Sequence, residues 1–159
     1  MNEYNENPKQ YAPCMHSAEH LLNQTMVRMF DCGRAISAHI EKKKSKCDYS
    51  FSRALTSEEL SEIERRVNET IAADLPIGES FMERTEAQKR FNLSRLPEEA
   101  GENIRLITIG DYDVCPCSGI HAASTKEIGA FTIISSDYAD GRLRIRFRIA
   151  DWRITDYAD

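Results

Sequence analysis

Arg142-Leu143-Arg144-Ile145-Arg146-Phe147-Arg148-Ile149 alternates charge and hydrocarbon along its whole length. Successive side chains of a β-strand point to opposite faces, so this period sends the arginines to one face of a sheet and the apolar residues to the other. One face packs and the other is basic. Asp140-Gly141 supplies the tight turn before it, leading back to a strand over 128–134. Residues 104–109 read as another strand, Gly110-Asp111 as a turn and 112–115 as its return. Residues 35–40 and 47–51 read as a hairpin joined across 42–46. A short strand over 77–82, a short helix over 86–91 and a loop over 93–102, containing Pro97 and Gly101, complete the middle of the chain.

Helical periods stand in front of these strands. Pro13 suits a first helical turn, and Met15, Leu22, Met26 and Met29, broadened by Leu21 and Val27, form one apolar stripe over 14–30 that Gly33 should end. Thr56 and Glu59 have the spacing of a capping box, and Leu60, Ile63, Val67 and Ile71 continue as a stripe to Leu75-Pro76. The order helix, hairpin, helix and then mostly strands predicts an α+β fold, a largely antiparallel sheet with helices packed on one face. Residues 1–12 read as a polar tail and 13–159 as a single domain.

A chain of 159 residues with 41% hydrophobic and 30% charged residues is long enough to bury its own core. No run approaches the roughly 20 apolar residues that span a bilayer, and the N-terminus lacks the pattern of a signal peptide, so no membrane partner and a cytoplasmic location are expected. Five cysteines, an odd number, then favour free thiols or metal ligation over a disulfide framework. The net charge of −5 excludes a surface that grips nucleic acid everywhere, while leaving room for a local basic face.

The chemistry concentrates in two short segments. His16-Ser17-Ala18-Glu19-His20 puts two imidazoles four residues apart on a helix, so one metal ion can reach both. Cys115-Pro116-Cys117-Ser118-Gly119-Ile120-His121 lies in a turn between strands, where Pro116 and Gly119 can bend the chain to aim a thiolate and an imidazole together. Two histidines with one cysteine and a further histidine make a tetrahedral zinc shell. Cys115 and Cys117 compete for the thiolate position.

The ordered pair His16-x-x-x-His20 and Cys117-x-x-x-His121, trailed by Ser124-Thr125-Lys126-Glu127-Ile128-Gly129, resembles the editing domain shared by alanyl-tRNA and threonyl-tRNA synthetases, and most of all the freestanding AlaX-type trans-editing proteins. The likeness runs from about residue 14 to 149. It implies a Zn2+ site at His16, His20, Cys117 and His121, with Cys117 rather than Cys115 as the thiolate. It also implies metal-dependent hydrolysis, in trans, of the ester of a mischarged aminoacyl-tRNA such as Ser- or Gly-tRNA(Ala), with tRNA as partner. Alanyl editing domains usually read Cys-Gly-Gly-Thr-His at the second motif, whereas Ile120 stands here in place of the threonine. Their glutamine-rich strand has no clear match either. Residues 35–40 stand roughly there, and His39 reads as an exposed strand histidine.

Two other readings compete. His16-x-x-Glu19-His20 also matches a zinc peptidase, with Glu19 as base and a distant glutamate as third ligand. A zinc-stabilised RNA-binding module with a closed shell and no turnover is the third. For RNA contacts the candidates are Arg142, Arg144, Arg146 and Arg148 on the basic strand face and Lys42, Lys43 and Lys44 at the hairpin tip.

Overall fold

The computed structural model describes residues 12–94, 96 and 101–150, so residues 1–11 of the expected tail, residues 151–159 and most of the loop after 94 fall outside the described residues, while Ala12, expected in the tail, is buried in the core. Three helices, α1 (Pro13–Phe30), α2 (Ser57–Ala72) and α3 (Arg84–Arg90), accompany β1 (Ser37–His39), β2 (Ser45–Ser50), β3 (Ile77–Glu83), β4 (Asn103–Ile109), β5 (Asp113–Pro116), β6 (Phe131–Ala139) and β7 (Arg142–Ile149). The fold is α+β and its strand pairs are all antiparallel. The strands divide between two sheets, β1-β2-β7-β6 and β3-β4-β5, where the sequence suggested one.

The alternating strand sits at the centre of the larger sheet. Leu143, Ile145 and Phe147 are fully buried, and the Phe147 ring packs 5.3 Å from that of Phe131. Burying a side chain of that kind is worth about 1.5–3 kcal/mol. Asp140 and Gly141 both take positive φ, 51° and 80°, as a two-residue hairpin turn matched to strand twist requires. β6 forms the edge of this sheet and is covered by α2: Asn68 exchanges two hydrogen bonds with the Phe131 backbone, of 2.7 and 2.9 Å, and Glu64 Oε1 accepts from Ile133 N–H at 2.8 Å. α2 begins at the expected capping box, with Glu59 N–H donating to Thr56 Oγ1 at 3.1 Å and Thr56 N–H donating to Glu59 Oε1 at 2.9 Å.

Two helix and strand ends are set by local features the sequence did not show. α1 ends at Phe30 as expected, but the residue that closes it is Asp31 and not Gly33: Asp31 adopts the left-handed conformation (φ 54°) and its N–H closes on Val27 O at 2.9 Å. The strand expected from 128 begins at Phe131, because residues Thr125–Ile128 form a 3-10 turn anchored to α2. Thr125 Oγ1 accepts from Leu75 N–H at 2.8 Å and donates towards Thr70 O at 3.0 Å. Gly129 follows with φ 78°, so close to the Ala150 carbonyl that any Cβ would lie 2.1 Å from its oxygen.

α1 positions the site. Met15, Ala18, Leu21, Leu22 and Met26 bury one flank in the main core with Tyr49, Ile63 and Leu143. The opposite flank would be solvated on an ordinary amphipathic helix. Here it is covered by β5 and the segment after it, so His16, Ser17, Glu19, His20 and Asn23 are buried as well.

A candidate metal centre between the first helix and the β5 turn

Helical spacing turns His16 and His20 to the same side of α1, their ring centroids 5.0 Å apart at 82°. The segment after β5 brings the other half. Arg105, on β4, fastens that turn: its carbonyl accepts from Cys117 N–H at 3.1 Å, and its guanidinium donates to Cys117 O at 3.1 Å and Gly119 O at 2.6 Å. The His121 ring then stacks on His16, with centroids 4.0 Å apart. One donor atom from each of His16, His20, Cys117 and His121 lies within 4.8 Å of the others, and among the described residues no other group of three or more His, Cys, Asp or Glu side chains converges in this way.

Each imidazole is held from behind. His16 Nδ1 donates to Ile120 O at 3.0 Å while its Nε2 faces Cys117 Sγ at 3.3 Å. His121 Nδ1 meets Ser17 Oγ at 3.0 Å, and the same oxygen accepts from Ala122 N–H at 3.1 Å. His20 Nδ1 stands 3.6 Å from Asp113 Oδ2, an ion-pair distance longer than a hydrogen bond. Asp113 is in turn gripped by Arg34 through two bonds of 2.8 and 3.2 Å and by Gln24 at 2.7 Å. Metal-binding histidines are characteristically fixed in this manner, one ring nitrogen oriented by an outer partner and the other free to ligate. His121 Nε2 is buried with no hydrogen-bond partner, a costly arrangement for a polar atom that a bound cation would relieve. The donor set therefore fits a tetrahedral, nitrogen-and-sulfur-loving ion such as zinc.

The electrostatics separate the two competing cysteines. Burial pushes the Cys117 thiol up, but the His121, His16 and His20 imidazoles gathered around it outweigh burial and bring the pKa to about 2. Burial pushes the Cys115 thiol up to about 12, and its Sγ turns to Pro116 O. Cys117 is thus poised as a thiolate and Cys115 stays neutral. Burial holds His121 down at about 4, keeping its imidazole neutral, as ligation requires. For His20, burial acts downward, yet Asp113 and Cys117 prevail and raise it to about 9. Asp113, despite its own burial, is drawn down to about 2 by His20 and Arg34.

A cavity of about 640 Å³ opens beside the cluster, lined by His16, Glu19, His20 and Cys117 together with Phe91 and Leu96. Ile120, the departure from the usual second motif, is exposed and contributes its backbone carbonyl to His16. His39 lies outside the cluster, exposed and paired with Glu41. The basic strand face is largely neutralised locally: Arg142 and Arg144 both bind Asp48, and Arg146 binds Asp137. Arg148 is exposed on the same face, which is turned away from the core that α1 helps to form. Lys42, Lys43 and Lys44 are exposed at the β1–β2 tip.

Ser17, Asn23, Arg34, Arg105 and Asp113 complete the site, and none of them stood out in the sequence. Their types are common and their partners lie far off in the chain, 104 residues from Ser17 to His121 and 79 from Arg34 to Asp113.

Residues 104–146 match the family described as the threonyl and alanyl tRNA synthetase second additional domain. Across 136 residues, 83% of the chain, it is 36% identical to an alanine--tRNA ligase of Methanopyrus kandleri, covering 15% of that protein. It is 33% identical over 127 residues to the alanine--tRNA ligase of Neisseria meningitidis serogroup C, covering 76% of this chain and 14% of the relative. The Haemophilus influenzae (strain PittGG) counterpart is 32% identical over 136 residues, 81% of this chain and 15% of that one. The chain thus spans about one seventh of the length of these relatives. Among the described residues no helix is long and apolar enough to cross a membrane.

Proposed function

The chain belongs to the editing-domain family shared by alanyl-tRNA and threonyl-tRNA synthetases, and from that premise we propose that it is a zinc-dependent aminoacyl-tRNA deacylase that hydrolyses the ester of mischarged tRNA, with Ser- or Gly-tRNA(Ala) as the expected kind of substrate. The observation that carries the reading is the convergence of His16, His20, Cys117 and His121 on one point at the edge of a substrate-sized cavity. These residues would hold Zn2+, which supplies Lewis acidity toward an ester carbonyl or water.

The chain's own residues do the rest. Cys117 brings a negative charge that partly neutralises a dication, and Ile120 O, Ser17 and Asp113 keep the three imidazoles from rotating away. The cavity beside them is bordered by Phe91, Leu96 and Val114, an apolar wall that limits water around a bound aminoacyl group. The peptidase alternative calls for a distant glutamate as third ligand, whereas the partners gathered around His16 and His20 are Cys117 and His121.

Incubating the zinc-loaded protein with Ser-tRNA(Ala) and Gly-tRNA(Ala) should release amino acid and leave the tRNA intact, with about one zinc per chain by elemental analysis. His121→Ala should abolish release and lower zinc content while the far-ultraviolet spectrum stays folded. A metal-free wild type, or no release from any mischarged alanine or threonine tRNA, would refute the reading.

A further inference from the structure

The two halves of the cluster are held by unlike means. His16 and His20 ride on α1, whose Leu21, Leu22 and Met26 are fully buried in the main core. Cys117 and His121 belong to a segment after β5 that is neither helix nor strand. Such a segment has no ladder of its own, so its shape depends on hydrogen bonds supplied from outside. Arg105 reaches it from β4. Its carbonyl carries the β4–β5 ladder one rung past Pro116, accepting from Cys117 N–H at 3.1 Å. Its Nη1 donates to Cys117 O at 3.1 Å and to Gly119 O at 2.6 Å, so one nitrogen gathers two carbonyls two residues apart. Gly119 is buried, and a buried carbonyl deprived of its donor is costly.

The residue after this pinched pair, Ile120, accepts the His16 Nδ1 hydrogen at 3.0 Å. Arg105 thus bears on two ligands from remote segments: on Cys117 through that residue's own N–H and carbonyl, and on His16 through the turn that carries Ile120 O. His20 is oriented separately, by Asp113. The Arg105 Nε turns the other way, to Glu79 on β3. That ion pair is largely solvated, with Glu79 keeping 52% of its side chain exposed, and pairs of this kind contribute little.

We propose that Arg105 is a positioning residue for the metal centre: its guanidinium holds the turn so that Cys117 and His16 stand together before a metal ion arrives. The proposal rests on the metal reading of the cluster and is independent of the reaction. Arg105→Met keeps an unbranched stem and removes every side-chain donor, Arg105→Lys returns a cation that can serve one or both carbonyls, and Glu79→Gln breaks the ion pair alone. In competition against a chromophoric chelator, Arg105→Met should bind zinc about 10- to 100-fold more weakly, as loss of an outer-shell partner implies. Arg105→Lys should recover part of that loss, and Glu79→Gln should bind like the wild type. The cobalt(II)-substituted Arg105→Met protein should show a weakened thiolate-to-metal charge-transfer band. Unchanged zinc affinity in Arg105→Met overturns the proposal. So does an equal loss in Glu79→Gln, which would assign the effect to the ion pair between strands.

Hydrogen exchange of the metal-free proteins separates this failure from failure of the metal reading. Faster exchange confined to residues 118–121 in Arg105→Met supports the hold on the turn, even if the wild type takes up no zinc and the metal reading falls. Acceleration spread evenly over β3, β4 and β5, or none at all, makes Arg105 a support of the sheet or a bystander and overturns the proposal.

Discussion

Replacing Asp113 by asparagine preserves shape and removes charge from the group on which Arg34, Gln24 and His20 all depend. The Asp113 side chain is fully buried, whereas Arg34 keeps 30% of its side chain in solvent. Breaking a buried ion pair costs about 3–5 kcal/mol, and the exposed part of Arg34 together with the acceptor left on asparagine brings the expectation to about 2 kcal/mol. For a chain of this size that lowers Tm by roughly 4–8 °C. A second effect is independent of the first. His20 loses the negative charge beside Nδ1, and outer-shell losses of this kind weaken metal affinity by about 10- to 100-fold. Thermal melts without zinc report the first effect, and competition against a chromophoric chelator reports the second. A variant that melts early yet binds zinc like the wild type would show that Asp113 serves only Arg34, and would refute the account of how His20 is oriented.

Asp48 contributes to the acid limb. Arg144 and then Arg142, against the effect of burial, draw its carboxyl from 3.8 to about 2, so its contribution is complete above the unfolded value and is lost as pH falls through 3.8 toward 2. Asp48→Asn should cost roughly 1–2 kcal/mol at neutral pH, after allowance for the solvent reaching both arginines, and urea melts at pH 7 and pH 2.5 should show the variant's deficit shrinking at the lower pH. Gly129→Ala meets both a positive φ of 78° and the Ala150 carbonyl oxygen 2.1 Å from the new Cβ, and should cost roughly 2 kcal/mol or more in the same melts.

The parts of the fold legible in the sequence are those set by neighbours in the chain. The alternation of residues 142–149, the Asp140-Gly141 turn and the Thr56–Glu59 box each encode their geometry within a few residues, and each formed as read. Boundaries went astray where a remote contact decided them. Ile128 looked like the start of a strand until the tie between Thr125 and α2 and the approach of Ala150 turned the chain.

For the site, the division follows the same physics. Helical geometry alone pairs His16 with His20, and a turn after a strand alone sets Cys117 near His121, so both halves could be read from spacing. Cys115 and Cys117 could not be told apart by composition, because the difference between a thiol near 12 and one near 2 comes from which imidazoles surround the sulfur. The basic face of β7 is the converse case. Sequence put four arginines on one side, and only the pairing of β2 and β6 with that strand brought Asp48 and Asp137 against three of them. Backbone periodicity is a property of the chain taken a few residues at a time; the charge state and partner of a buried side chain depend on what packs against it, and that is decided when segments a hundred residues apart meet.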